Sequence, residues 1–422
     1  MARKPGGKSQ AVHTKHVPLD TLGRQLRLSP VFLFIYKIYR VKLAVIMKKV
    51  FVGLSGGVDS AVSAALLKQQ GYDVTGVFIK TWHPDFLPCT WRAERRDAMR
   101  VALALEIPFL TFDFEEEYKK GVADQMIEEY RVGRTPNPDV LCNREVKFGA
   151  FWKKAKEMGA DYIATGHYAR KREALNPKSE TRNSFQNSKF VIRVSASWIL
   201  QEGQDAVKDQ SYFLWTLTQE DLAHTLFPIG HLKKNEVRDL AKKFNLPVAE
   251  KKDSQGICFI GEVSIEEFLS HYLKTVPGNV LNTNGQVIGS HKGAIFYTLG
   301  ERHGFEITEK NPDAGAFYVI SKDVDKNTIT VSNKKEEIED MSPKRVVLKN
   351  VNWIREPREG ESLEARIRYR GERLVVTLGP QNLSSKKSVE FAEPVRGLSL
   401  GQSIVFYSGE ECLGGAVMDA II

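Results

Sequence analysis

The sequence predicts an α/β protein: a parallel sheet covered by helices, then a small β-rich linking domain, then a C-terminal β-barrel. Three observations carry that prediction. A strand, a glycine loop and a helix follow one another directly from Val50 to Leu67. Strand-like and helical segments then alternate to about Thr165, which implies parallel strands joined by crossover helices. From Arg345 onward the chain holds short alternating strands with polar and glycine turns, the pattern of a compact barrel. The expected divisions are 1–46, a basic extension; 47–252, the α/β domain; 253–335, the linking domain; and 336–422, the barrel.

Length and composition fit this plan. A chain of 422 residues has room for two or three domains, and 42% hydrophobic content can fill their cores. The net charge of +9 is concentrated at one end, because residues 1–46 hold nine Lys/Arg against Asp20 alone. The remainder is within about one charge of neutral, so any polyanion must be met by local patches. Four cysteines without CxxC or His/Cys spacing argue against a zinc site and against a disulfide scaffold. No metal-ligating residues are expected, and a reducing compartment is.

Taken in order, residues 1–46 read as disordered or as an over-extended start, since Met47 stands directly before Lys48-Lys49-Val50. A mitochondrial transit segment is the alternative, because the stretch is basic and acid-poor. Val31–Ile46 carries Lys37, Arg40 and Lys42 and makes a poor membrane span. Val50-Phe51-Val52 is a buried strand, and Ala61–Leu67 the helix after it. Between them, Ser55-Gly56-Gly57-Val58-Asp59-Ser60 lies where orphan backbone N–H groups and a helix dipole collect. The loop is neither GxGxxG nor a Walker loop. Val74–Ile79 and Phe109–Phe112 are strands; Arg92–Leu105, Asp124–Tyr130 and Phe148–Met158 are helical; Asp161–Thr165 is a strand running into Gly166-His167. Ligands in such a sheet bind beyond the strands' carboxyl ends. The first loop, the region of Ile79 and Gly166-His167 should meet there.

Two loops each carry a cysteine. Gly133–Asn143 contains Pro136, Asn137, Pro138, Asp139 and Cys142 and reads as a stiff irregular loop. Asp253–Phe259 contains Cys258. Two loop cysteines of this kind suit thiol chemistry; the alternative is that both are buried and inert. Residues 171–207 form a polar insertion around a strand-like run, Phe190–Val194. Lys208-Asp209-Gln210 is either a solvated turn or a functional triplet. Lys233–Phe244 is a charged helix. Beyond Ser264–Tyr272, Gly285–Gly289, Gly293–Thr298 and Phe317–Ile320 read as strand and turn fragments of the linking domain. In the barrel, a strand over Ala365–Tyr369 places Arg366, Arg368 and Arg370 on one face beside Tyr369. That face suits phosphates and stacked bases, or it protects a sheet edge.

Ser55–Ser60, Arg134–Asn143, Thr165–Ala169, Lys208–Phe213, Asp253–Gly261 and Leu413-Gly414-Gly415 occur in that order. Together they resemble the tRNA-specific 2-thiouridylases, a branch of the ATP pyrophosphatases, from about Met47 to the end. The resemblance implies a pyrophosphate-loop, adenine nucleotide alpha hydrolase-like first domain. It implies ATP-dependent 2-thiolation of the wobble uridine of tRNA, through adenylation of the C2 oxygen and sulfur transfer from a cysteine persulfide. Gly53, Leu54, Ser55, Gly56, Gly57, Val58, Asp59, Ser60, Ile79 and Gly166 would then hold ATP, with Mg²⁺ on its phosphates. Asn137, Pro138 and Asp139 would surround the flipped base. His167, Lys208, Asp209, Gln210, Arg368, Tyr369 and Gln402 would contact tRNA. Cys142 would be the nucleophile, Cys258 the persulfide carrier, and Asp139 a proton shuttle; Cys142 and Cys258 would form a transient disulfide. The implied partners are tRNAs with lysine, glutamate and glutamine anticodons and a sulfur-donor protein, such as a cysteine desulfurase or a sulfur relay protein, in the cytoplasm. Two departures stand out: Glu301-Arg302-His303, where the family usually has Gln-Arg-Arg or Gln-Arg-Lys, and the longer 171–207 insertion.

Overall fold

The computed structural model describes residues 47–87, 91–174, 197–253, 263–308, 315–379 and 387–422. The α/β domain opens with β1 (Lys49–Gly53), α1 (Val58–Gln69), β2 (Asp73–Thr81), α2 (Trp91–Ala104) and β3 (Phe109–Phe114). Two helical runs follow, α3 over 115–131 and α4 over 138–157, each with a π-helical turn, Lys119–Asp124 and Asn143–Ala150. Then come β4 (Tyr162–Ala164), the hairpin strands β5 (Ala169–Ala174) and β6 (Ser197–Glu202), α5 (Gln219–His224), β7 (Thr225–Leu226) and α6 (Lys234–Lys243).

The first sheet runs β3-β2-β1-β4-β7, every pair parallel. The central strand explains itself: Val50, Phe51 and Val52 are all buried, as a parallel strand covered on both faces requires. One face packs on α1 and α2 through Val62, Leu67, Val101 and Ala102; the other packs on α3 and α4 through Tyr118, Met126, Phe148 and Phe151.

The segment expected to be an irregular loop through Asn143 becomes helical at Pro138. Asn137 caps it, its Oδ1 accepting from the Val140 N–H at 3.2 Å, and Pro138 occupies the first turn, where no N–H is needed. Cys142 therefore lies inside a helix.

The linking domain contributes α7 (Ile265–Ser270) and β8 (Gly278–Leu281), β9 (Val287–His291), β10 (Phe305–Ile307), β11 (Tyr318–Asp323) and β12 (Thr328–Ser332). These strands form a sheet in the order β10-β9-β8-β12-β11, antiparallel except for β8 with β12. Within Gly293–Thr298 the chain makes a 3₁₀ turn, Ala294–Phe296.

After α8 (Lys335–Asp340), the barrel is built of β13 (Arg345–Trp353), β14 (Leu363–Arg366), β15 (Leu374–Leu378), β16 (Ser388–Phe391), β17 (Ser403–Ser408) and β18 (Glu411–Ile421). The order β13-β16-β15-β14-β17-β18 closes because β18 pairs back onto β13. The β5–β6 hairpin of the first domain then joins this sheet, Cys412 of β18 opposite Leu200 of β6. Part of the expected insertion is thus an interdomain strand pair; the run Phe190–Val194 lies outside the described residues. The strand expected over Ala365–Tyr369 stops at Arg366, because the chain turns there and Arg370 has φ +58°.

Candidate functional site

The loop after β1 is shaped by its glycines. Gly56 has φ +75°, and a Cβ there would run into the Glu94 carbonyl. Gly57 is the N-cap of α1 and offers no side chain to cap it, so the first-turn N–H groups face the loop's opening. The two serines hold the loop's curve: Ser55 N–H donates to Ser60 Oγ at 3.2 Å, and Gly57 N–H donates to Ser55 Oγ at 3.3 Å. Ser55 is exposed and Ser60 buried. Gly166, just beyond β4, lies against the same turn; a Cβ on it would stand 2.7 Å from Ser60 N and 2.9 Å from the Asp59 carbonyl carbon. Ile79 of β2 flanks Gly53, its Cδ1 3.9 Å from where a Gly53 Cβ would be. The residues expected to hold ATP therefore gather at one place, and their bare backbone fits a phosphate chain.

Around this loop stands a charged cluster of which sequence reasoning found only part. Lys234, at the start of α6, reaches Asp59 at 2.7 Å and Asp253 at 2.8 Å. Asp253 also receives Lys208 at 2.6 Å and Arg238 at 2.8 Å. Burial pushes the Asp253 carboxyl up, but the hydrogen bonds from Lys208 and Lys234 outweigh it and hold it at about 2. The Tyr168 hydroxyl donates to Asp59 at 2.8 Å. Lys251 binds the Gly56 carbonyl at 3.1 Å and Asp97 at 2.8 Å. Asp59, Tyr168, Lys208 and Asp253 lie in stretches that the sequence singled out. The others come from distant elements, and nothing in their local sequence marks them.

The Asn137-Pro138-Asp139 turn is clamped from the barrel. Thr135 N–H donates to the Leu400 carbonyl at 2.8 Å, Gln402 Nε2 donates to the Pro136 carbonyl at 3.4 Å, and Arg134 pairs with Asp419 at 2.7 Å. Asp139 is half-buried and Cys142 is only 2% exposed. A cavity of about 340 Å³ opens on the barrel side of the turn, lined by Asn137, Leu141, Arg144, Trp215, Lys349 and Ser403 among others. Cys258 lies outside the described residues.

The residues expected to touch tRNA divide into two groups. Arg368 is exposed, although it also donates to the Leu299 carbonyl at 2.7 Å and the Gly397 carbonyl at 2.6 Å. Tyr369 is half-buried against Phe213, and Arg370 lies over its ring. Lys208 and Gln402 are partly exposed. His167, by contrast, is buried among Phe148 and Phe227, its Nδ1 2.7 Å from Thr165 Oγ1. Burial first, and then the Lys147 charge, hold it well below the usual histidine range, so it is neutral near pH 7. Asp209 is 4% exposed and its carboxylate is used internally, accepting from Gly203 N–H, Ser211 N–H, Ser211 Oγ and Arg366. Gln210 faces inward, its Oε1 accepting from Tyr168 N–H at 3.0 Å. The single arginine face is corrected as well: Arg366 turns in to Asp209, and Arg368 and Arg370 leave from a turn.

Among the described residues no helix is long and apolar enough to cross a membrane. Three family models match the chain in succession: the tRNA methyl transferase HUP domain over 48–262, the tRNA methyl transferase PRC-barrel domain over 266–333, and the aminomethyltransferase beta-barrel domain over 344–418. The tRNA-specific 2-thiouridylase MnmA 2 of Aliarcobacter butzleri is 43% identical over 87% of this chain and 97% of its own. The tRNA-specific 2-thiouridylase MnmA of Lacticaseibacillus paracasei is 42% identical over 88% and 94%, and that of Listeria monocytogenes 40% over 88% and 95%.

Proposed function

Since the chain belongs to the tRNA-specific 2-thiouridylases, a family of sulfurtransferases, we propose that it uses ATP to exchange the C2 oxygen of the wobble uridine in tRNA for sulfur. The observation that carries the ATP step is Gly166 seated against Asp59 and Ser60 at the start of α1. Two strand ends and a helix N-terminus there leave room only for bare backbone, which suits a polyphosphate.

The C2 oxygen is a poor leaving group. In the proposed reaction it attacks the α-phosphate of ATP, and pyrophosphate departs toward the Gly56-Gly57 amides. Mg²⁺ would travel with the triphosphate as counter-charge. Cys258, loaded by a sulfur-donor protein, carries the persulfide. The Cys142 thiolate attacks the Cys258 sulfur, a Cys142–Cys258 disulfide forms and hydrosulfide leaves. Hydrosulfide adds at C2, AMP departs, and an external thiol reductant later clears the disulfide. Asp139, half-buried three residues before Cys142 on the same helical run, is the proton shuttle. For the uridine to arrive it must leave its stack, with Asn137, Pro138 and Asp139 around it. Lys208, Arg368, Tyr369 and Gln402 supply the outer tRNA contacts in this reading; His167, Asp209 and Gln210 act from beneath. The substrates are tRNAs with lysine, glutamate or glutamine anticodons, and the protein works in the cytoplasm.

Asp253, the last described residue before the loop that carries Cys258 in the sequence, is tied through Lys234 to Asp59. The test is incubation with ATP, a sulfide source and unmodified tRNA, followed by nucleoside mass spectrometry and a pyrophosphate assay. The reading expects 2-thiouridine and pyrophosphate in step. Pyrophosphate release on a small carboxylate, with no change in tRNA, would replace it with a different adenylating enzyme.

A further inference from the structure

We propose that Arg366, a barrel residue, is a positioning residue for the nucleotide site and makes no contact with tRNA. This role presupposes the ATP-dependent reaction proposed above. Arg366 ends β14, yet its guanidinium reaches the first domain. Its Nη1 lies 3.0 Å from Asp209 and 3.0 Å from Glu202, and its side chain is 18% exposed. Arg373 shares Glu202 at 2.8 Å, and both guanidinium groups lie over the buried Tyr407 ring. With Glu364 on Arg373, three carboxylates meet two guanidinium groups. No positive charge is left over to attract a phosphate.

From Asp209 the path to the nucleotide loop is continuous. The Asp209 carboxylate accepts from Gly203 N–H at 2.9 Å and Ser211 N–H at 3.1 Å, which fixes the turn through 208–211. Inside that turn, Gln210 grips Tyr168 twice: its Oε1 accepts from Tyr168 N–H at 3.0 Å, and its own N–H donates to the Tyr168 carbonyl at 2.9 Å. Tyr168, two residues beyond Gly166, in turn donates from its hydroxyl to Asp59 at 2.8 Å. Lys208, on the same turn, holds Asp253. Removing the Arg366 charge leaves Asp209 buried and undercompensated. The turn then relaxes, and with it the backbone that presses Gly166 onto α1.

The test uses the full chain with tRNA. Arg366→Met is expected to lower the single-turnover thiolation rate by about tenfold to a hundredfold, the effect of a small misplacement at a reacting centre. Its tRNA affinity stays within about twofold of the native protein, and the slope of log affinity against log salt is unchanged. Arg366→Lys keeps a charge for Asp209 and restores part of the rate. Exchange of the Tyr168 amide with solvent quickens by about tenfold in Arg366→Met. If Arg366→Met does not fold, Asp209→Asn, which keeps the shape and removes the pairing charge, is expected to show the same split. A loss confined to tRNA affinity, with the salt slope shallower by about 0.7–0.9, marks a phosphate contact and overturns the proposal. An unchanged Tyr168 exchange rate overturns it too, and that rate is readable even if the native protein thiolates nothing, a result that would instead refute the reaction itself.

Discussion

Gly166→Ala adds one methyl group at the closest approach in the nucleotide site. The new Cβ would meet Ser60 N at 2.7 Å, the Asp59 carbonyl carbon at 2.9 Å and Asp59 Cβ at 3.1 Å, whereas ordinary contact begins at 3.4 Å. The gap must open by about 0.7 Å. Two of the three atoms are backbone, in a turn fastened by Tyr168 and Lys234 to Asp59, so no flexible side-chain end can give way. Overpacking of this kind costs about 1–3 kcal/mol. If the first turn of α1 yields, the strain falls on the nucleotide geometry, and at about 1.4 kcal/mol per decade ATP affinity drops about fivefold to a hundredfold. Titration calorimetry with a non-hydrolysable ATP analogue reads that loss, and thermal unfolding reads any strain left in the fold. Gly315→Ala, where no atom of the described residues lies within 4 Å, is the control and is expected to change neither. Native-like affinity and melting in Gly166→Ala would refute the reasoning.

Two further outcomes follow from the charge network. The folded Asp253 carboxyl is held at about 2, below its unfolded value of about 3.9. Its stabilisation is therefore complete above that value and is lost as pH falls toward about 2. The stability gap between the native protein and Asp253→Asn in urea should close over that interval; a gap independent of pH would show that the carboxylate contributes nothing by charge. Arg134→Met removes the pair with Asp419 and the bonds to the Met418 and Asp419 carbonyls. Hydrogen bonds to charged groups of this kind are worth about 1.5–3 kcal/mol. The first urea transition, followed by tryptophan fluorescence, should move to lower urea; an unmoved midpoint would mean the clamp on the Asn137 turn carries no energy.

What the sequence made legible is what local physics decides. Val50-Phe51-Val52 running into Ser-Gly-Gly has few alternatives to a buried strand, a bare loop and a helix start, and the chain forms them. Asn137-Pro138 carries a readable helix-start signal, but the two prolines suggest a loop, and Cys142 reads as a loop residue although it lies inside α4. The β5–β6 hairpin was hidden because Ala169-Arg170-Lys171-Arg172-Glu173-Ala174 has no apolar alternation; its strand character comes from pairing with a neighbour. Arg366 looked like its neighbours Arg368 and Arg370. Its inward turn depends on Asp209, 157 residues away, and no window of sequence contains both. The same holds for Lys234, which becomes part of the site only because α6 packs beside α1.

The most direct measurement is a single turnover with the protein loaded as the Cys258 persulfide and no other sulfur present. With ATP and unmodified tRNA, nucleoside mass spectrometry should find 2-thiouridine at the wobble position, limited by the persulfide supplied, and the spent protein should hold a Cys142–Cys258 disulfide. Cys258→Ser should bind ATP normally and form none. Thiouridine made at the native rate by Cys258→Ser, or made without ATP, would contradict the account.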